Sequence, residues 1–491
     1  MMTEKAALHT ALSALSQGMA QAVAQHQHRL QQLRPEIRPS ARNLIEYLYF
    51  RSESLKDIQE ALHCLGYSSL ASSEGHIRTQ LHNVLALIEG QEAVLDLTAY
   101  ASGNAQLQQN ARTLFGDATQ PEQPYIMVTL DGQLATEAAY VSDLIRHGMN
   151  IARINCAHDH PQTWLQMIGR VREAAAELQR GCKIYMDLAG PKIRTNLAGA
   201  EKLKVKLGNQ LWLAEKQAQP PKKAKILRCT LAGVVDLLEV GQRVLIDDGL
   251  IAARVLELKT GMALLEITRI SGKKPYIKPE KGMNFPDSRF DIPALTQYDL
   301  DCLPFVLEHA DMLGLSFVNR AADLTLLHEQ LASLGHPQFP VVAKIETQEA
   351  VRQLAAIVLQ GMAGGPFGVM IARGDLAVEI GFERLSEVQE EILWICEAAH
   401  IPVVWATQVL ESLNKQGLAT RSEVTDAARS AFAECVMINK GKYTREVLIS
   451  LVDILARSRS NNLKQRHIFR ALNIAKAFFA EGELPQPRPA G

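Results

Sequence analysis

Residues 341–375 read VVAKIETQEAVRQLAAIVLQGMAGGPFGVMIARGD. Two short apolar runs, Val341-VAKI and Gly368-VMIA, are separated by a helical stretch, and each ends in charge: Lys344 and Glu346 after the first, Arg373 and Asp375 after the second. Short apolar runs suit strands buried on both faces, and a helix between two of them makes the pair parallel. Chemistry on such a sheet gathers at the carboxyl ends of its strands, where these charges stand.

The alternation extends in both directions, through Tyr125-IMVTL, Met149-NIARIN, Lys183-IYMD and Asp311-MLGLSF upstream and Pro402-VVWAT and Glu434-CVMIN downstream. Eight apolar strands alternating with helices predict an α/β fold, a closed parallel (β/α)8 TIM barrel over residues 121–194 and 284–460. The pattern breaks once. After the third strand, residues 195–283 have no long helical period but carry Lys202-LKVKLG, Gln210-LWLA, Ala224-KILR, Gly241-QRVLIDDG and Leu265-EITRI. They read as a small inserted all-β domain, a cap placed to close over a substrate.

Ahead of the barrel the period is helical. Leu44, Ile45, Leu48 and Tyr49 share one face, and Leu55, Ile58, Ala61 and Leu62 share the next, which predicts an all-helical module over residues 1–120. Ser40 and Ser52 are expected as caps, because a hydroxyl can accept from the free N–H groups of a first turn. Residues 100–124, rich in Gln, Asn, Gly and Pro, read as a linker or an edge of that module. Residues 461–491 read as a C-terminal helix and tail.

The 491 residues exceed what one core holds, since single cores stop growing near about 250–300 residues. With 52 Lys and Arg against 53 Asp and Glu the formal charge is -1, so no long-range field draws the chain to nucleic acid or an anionic membrane. Cys64, Cys156, Cys182, Cys229, Cys302, Cys396 and Cys435 are scattered without a C-x-x-C pair, so neither a disulfide framework nor a zinc site is expected, and a reducing, cytoplasmic setting fits. No run approaches the ~20 apolar residues of a membrane span, and the first residues lack an apolar signal core. The chain is expected to be neither exported nor membrane-spanning.

The strand ends collect Arg153 and Asn155 after the second strand, Asp187 and Arg194 after the third, and Thr407 after the seventh, beside the two pairs already named. Any one of these charges alone would read as solvated or salt-bridged. Together at one barrel mouth they suit an anionic phosphorylated substrate held with a divalent metal. Glu346 and Asp375 supply the carboxylates that Mg2+ takes beside substrate oxygens, and the bases offset phosphate charge.

Ten blocks are more specific: Gly148-MNIARIN, Met186-DLAGPKIRT, Leu245-IDDG, Lys281-GMNFPD, Ile292-PALTQYD, Leu315-SFV, Ala343-KIETQEA, Ile371-ARGDLAVEI, Ala406-TQVLESL and Ala419-TRSEVTDAA. In this order and spacing they resemble the signature blocks of the pyruvate kinase family, over residues 125–456. The resemblance implies phosphoryl transfer between phosphoenolpyruvate and ADP, giving pyruvate and ATP, with Mg2+ or Mn2+. It implies that Lys344 meets the transferring phosphoryl, that Glu346 and Asp375 hold the metal, and that Arg153 binds phosphate. The N–H groups of Gly374 and Asp375, opening a helix, would bind the substrate carboxylate, and Thr407 would sit near the carbon that gains a proton. Arg153, Arg194 and Lys281 are expected toward the nucleotide.

Departures from the family pattern carry expectations of their own. Its K+ set would here be Asn155, Ala157, Asp187 and the carbonyl of Leu188, with a serine hydroxyl missing at Ala157, while an acid of the next block is Lys192. Lysine stands there in potassium-independent members, and its ammonium is expected to replace the cation, so K+ is not required. Thr129-LDGQLAT lacks the proline of the family's first nucleotide-touching block, and Met437-INKGKY lacks the loop S-G-E-T-A. Few residues follow Ala456, so the family's C-terminal regulatory domain is expected to be absent. The expected function is a potassium-independent pyruvate kinase, leaving a homo-oligomer open. Two alternatives stay beside it: a non-catalytic protein that binds or senses phosphoenolpyruvate or a 2-oxo acid, and a related barrel enzyme acting on another enol phosphate or 2-oxo acid.

Overall fold

The computed structural model describes residues 5–117, 123–132, 137–222, 224–271, 276–288, 290, 292–459, 462–463 and 466–467. Eight parallel strands close into a barrel: Tyr125–Thr129, Ile151–Asn155, Lys183–Asp187, Met312–Leu315, Val341–Ile345, Phe367–Ala372, Val403–Ala406 and Cys435–Ile438. Each pairs with the next in chain order, and the eighth closes on the first, Tyr125 beside Cys435. Alternate residues of a strand face opposite sides. Met127, Ile151, Tyr185, Val342, Met370 and Val404 accordingly meet inside the barrel, while Val128, Ala152, Ile184, Val341, Val369 and Val403 join the core under the outer helices. Toward the carboxyl ends the inner stack turns polar, with Thr129, Arg153, Asp187, Ser316, Lys344 and Glu346 all buried.

The amino end of the barrel is sealed by the chain that precedes it. Helix Ala99–Phe115 places Ala111, Leu114 and Phe115 in the same apolar cluster as Met127 and Met370. Strand six has Gly368 at the contact, where an added Cβ would lie 2.6 Å from Leu114 Cδ2. Of the two readings of residues 100–124, linker or edge of the module, the helix over Ala99–Phe115 overturns the linker for that part; residues 118–122 lie outside the described residues. The polar residues of 99–115 lie on one side of a helix whose other side, through Leu107, Ala111 and Leu114, is buried; packing against the barrel overrides a loop-like composition.

The preceding helices are Lys5–Gln25, Gln27–Gln32, Arg38–Ser52, Lys56–Cys64 and Ile77–Glu89. Neither expected serine cap forms. The helix containing Ser40 opens earlier, with proline in its first turn, where a fixed φ and a missing N–H cost nothing. The Ser40 hydroxyl is used on the barrel instead, 2.8 Å from His400 Nδ1. Ser52 closes that same helix, donating to the Tyr49 carbonyl, and Lys56–Cys64 starts without a side-chain cap. His400 also meets the Gly75 carbonyl through Nε2 at 2.9 Å, and Asn110 donates to the His400 carbonyl at 2.7 Å. A carbonyl only accepts, so Nε2 carries the proton and Nδ1 accepts from Ser40.

After strand three the chain leaves for a seven-stranded sheet, in the order Met283–Asn284, Arg243–Ile246, Ile251–Lys259, Met262–Ile270, Gln210–Ala214, Ile226–Cys229 and Thr195–Asn196. Leu213, Val244, Ile246, Val255 and Leu265 form its separate core. The outgoing and returning chains touch, Arg194 bridging to Gly282. Past helix Thr444–Arg459 only the short strands Asn462–Leu463 and Arg466–His467 are described, so the expected C-terminal helix and tail lie outside the described residues. Among the described residues no helix is long and apolar enough to cross a membrane.

Candidate active site

At the carboxyl end of the barrel two cations and two acids are packed out of water. The Lys344 ammonium lies 3.2 Å from Asp187 Oδ2, 3.1 Å from Glu346 Oε1 and 2.8 Å from Ser316 Oγ. Arg153 donates from Nε to Asp187 Oδ2 at 3.1 Å and from Nη1 to Thr129 Oγ1 at 2.9 Å. The other oxygen of Asp187 takes the Tyr185 hydroxyl at 3.1 Å, and Glu346 Oε2 takes the Phe317 N–H at 2.7 Å. Strand register explains the convergence: Asn155 sits beside Asp187, and Asp187 beside Gly314.

Buried charges persist when partnered. Burial, the largest single influence, would lower both Lys344 and Arg153, but the surrounding negative charge, led by Asp187 and joined by Glu346, together outweighs it and holds both above their ordinary values. Burial would raise Asp187, yet Lys344 and Arg153 hold its carboxyl below the usual range. Glu346 moves the other way: burial pushes it up, Lys344 opposes, and the like charge of Asp375 adds to the rise.

Asp375 opens helix Arg373–Ile380 after strand six. The Lys192 ammonium meets its two oxygens at 2.8 and 3.1 Å. In the same turn the Gly374 N–H donates to Thr407 Oγ1 at 2.9 Å. Thr407, Gln408 and Leu410 take left-handed backbone with φ of 67°, 58° and 49°, a conformation that costs non-glycine residues free energy and persists only when neighbours fix it. Arg373 does so: its guanidinium donates to the carbonyls of Ala406 and Thr407, pairs with Asp426 and lies 4.8 Å from the Trp405 ring centre.

Arg153, Asp187, Lys344 and Glu346 therefore form one buried network, with Lys192, Asp375, Gly374 and Thr407 in a second group. Three other singled-out residues are engaged elsewhere. Asn155 Oδ1 accepts from the Ala157 N–H at 3.0 Å, Arg194 donates to the Glu280 carbonyl at 3.1 Å, and Lys281 pairs with Asp247 at 2.8 Å. The Leu188 carbonyl accepts from Ser316 Oγ at 2.7 Å. Beside Lys192 a cleft of about 650 Å³ runs between the crossing chains of the inserted sheet and the barrel, lined by Asn284, Phe285, Phe317, Arg352 and Glu379. Glu379 is raised to about 7 by burial, against the hydrogen bond from Asn284.

Sequence reasoning passed over Tyr185, Ser316 and Glu379 as working groups. Ser316 and Glu379 stood inside quoted blocks. Tyr185 had a usable signal, since a residue two before Asp187 on a strand must share its face.

A closed barrel with a β insertion after strand three and a buried set of cations and carboxylates at its carboxyl end defines a (β/α)8 protein built to hold charge at its mouth. The family described as pyruvate kinase, barrel domain, matches residues 123–447. A pyruvate kinase of Bacillus licheniformis is 30% identical over 335 residues, 67% of this chain and 56% of the relative; the Homo sapiens protein named pyruvate kinase PKLR is 30% identical over 361 residues, 70% of this chain and 61% of the relative. This chain belongs to the pyruvate kinase family, and it spans less than two thirds of either relative.

Proposed function

We propose that the chain transfers the phosphoryl group of phosphoenolpyruvate to ADP, yielding pyruvate and ATP, in a site on the barrel mouth capped by the inserted sheet over residues 195–283. The observation that carries the reading is the Lys344 ammonium, buried and kept charged between Asp187 and Glu346 with Arg153 beside it. Phosphoryl transfer is catalysed mainly by positioning and by charge neutralisation in a site closed to water. Lys344 offsets charge on the transferring group and on the enolate left behind. Arg153 holds the phosphate, exchanging its grip on Asp187 for substrate oxygens. The start of helix Arg373–Ile380 offers N–H groups to the substrate carboxylate, in competition with the Thr407 hydroxyl, and Thr407 stands where the enol carbon gains its proton.

Glu346 and Asp375 fit a divalent ion. Burial and the like charge of Asp375 push the Glu346 carboxyl up, a penalty that a cation between the two acids relieves, and Mg2+ takes few protein carboxylates. When bound, Mg2+ polarises phosphoryl and enolate oxygens. Lys192 supports a reaction without K+ as a fixed positive charge near the site, although its ammonium is held by Asp375 rather than by Asn155 or Asp187 of the expected K+ set. A second reading, a non-catalytic phosphoenolpyruvate or 2-oxo-acid binder, draws on the nucleotide side: Arg194 and Lys281 are tied to Glu280 and Asp247, and strand eight passes to its helix between Ile438 and Thr444.

Pyruvate release from phosphoenolpyruvate, ADP and Mg2+, in sodium and in potassium buffer beside Lys344→Ala, tests the proposal. Equal rates in both salts, lost in the variant, support it; phosphoenolpyruvate binding without turnover selects the second reading.

A further inference from the structure

Tyr185 stands two residues before Asp187 on barrel strand three, so the two side chains share the inner face. The phenol is fully buried, and its hydroxyl meets Asp187 Oδ1 at 3.1 Å, whereas both cations use Oδ2. The two carboxylate oxygens thus have separate partners, one facing down into the barrel and one toward the mouth. Burial, reinforced by the charge of Asp187, pushes the phenol well above its usual value, so it stays a donor.

The neighbouring strand makes room for this contact. Gly314 is in register with Asp187, and a Cβ there would lie 1.9 Å from the Tyr185 hydroxyl oxygen and 2.5 Å from Asp187 Oδ1. Its φ is not among the positive ones, so backbone conformation does not call for glycine. Space for the phenol and the carboxylate does.

We propose that Tyr185, admitted by Gly314, is a positioning residue of the site: it occupies the inner oxygen of Asp187 and thereby keeps Arg153 and Lys344 on the outer one, facing the substrate. Without the hydroxyl, Oδ1 becomes a buried acceptor lacking a donor, which is costly. The two cations already bonded to the other oxygen of the same carboxylate, Arg153 and Lys344, are donors that can satisfy it, by turning inward and leaving the mouth. The consequence for catalysis rests on the phosphoryl-transfer reading; the consequence for Lys344 does not.

The test is Tyr185→Phe, which keeps the ring and removes the donor, measured in the full chain in two ways. Steady-state pyruvate formation is expected to show kcat about ten-fold lower, because Lys344 is displaced from the reacting group, and KM for phosphoenolpyruvate several-fold higher, because Arg153 turns away from the phosphate. Labelling of Lys344 by a small amine reagent, followed by mass spectrometry at mildly alkaline pH, is expected to slow several-fold. If the unmodified chain makes no pyruvate, the reaction proposal fails and the labelling arm still decides the role of Tyr185. A lower melting temperature with kcat and labelling unchanged would mean that Tyr185 only fills space, and would overturn the inference.

Discussion

The Lys192 ammonium grips both oxygens of Asp375, at 2.8 and 3.1 Å, rather than Asp187 or Asn155. A lysine expected to stand in for a monovalent cation is therefore bound to an acid proposed for the divalent one. Loading the divalent site requires Asp375 to release or share that ammonium.

Lys192→Met is expected to bind Mn2+ about ten-fold more tightly in the absence of substrates, the equivalent of about 1.4 kcal/mol. That is the scale of a charge-assisted contact at a mostly buried pair. Titration of the chain with the metal alone, read by the loss of the free Mn2+ resonance, measures it. Unchanged or weaker binding would show that Lys192 does not compete at Asp375.

Removing Lys344 leaves two acids facing each other. Lys344→Met is expected to cost at least about 10² in the rate of pyruvate formation, as for loss of one preorganised stabilising group. The stability cost should fall below the ~3–5 kcal/mol of severing a buried pair outright, since Asp187 keeps Arg153. Glu346 adds a pH signature. Burial already raises it while Lys344 opposes, so deleting the lysine raises it further. A carboxyl raised in the folded state contributes stability that is complete below its unfolded value and is lost as pH rises through the folded one. The variant should therefore lose more stability than the parent between about pH 5 and pH 7.5 in urea denaturation; parallel losses would contradict this account of Glu346.

Much of this site was legible because strands impose a strict period. The runs ending at Lys344, Arg373 and Thr407 could be recognised by length and apolar content, and their ends hold the charges. What escaped notice depends on distant partners. Residues 99–115 carry Gln and Asn like a loop, and only the barrel end that covers Leu114 makes them a helix. Ser40 has the form of a cap but serves His400, which lies far along the chain. Lys192 was placed by its block, yet which acid it meets depends on the direction of its side chain between the inserted sheet and the barrel.

His400 links the helical module to the barrel through neutral chemistry. Its burial holds it below 6.5, with the Gly75 carbonyl opposing. A histidine lowered in the folded state binds fewer protons folded than unfolded, so stability is level above the unfolded value and declines as pH drops below it. His400→Gln is expected to be less stable than the parent at about pH 7.5, but to lose less further stability by about pH 5.5. Thermal melting of both chains at the two pH values measures it, and equal declines would remove His400 as the source.

The module also reaches the barrel through Leu114, which fills the space above Gly368 and shares a cluster with Met127, Met370 and Val404. Truncating a buried leucine removes its transfer free energy and leaves a cavity, at about 2–5 kcal/mol where neighbours cannot collapse. Here they are barrel strands tied on both sides by hydrogen bonds, so the space cannot readily close. Leu114→Ala is expected to lower the urea midpoint of the whole chain, followed by fluorescence of Trp164 and Trp405, both buried in the barrel. A module that merely hung beside the barrel would lose its own helices first and leave those tryptophans untouched. Coincident loss of helix signal and tryptophan burial, at a lower midpoint, is the result that makes helix Ala99–Phe115 a structural floor of the barrel.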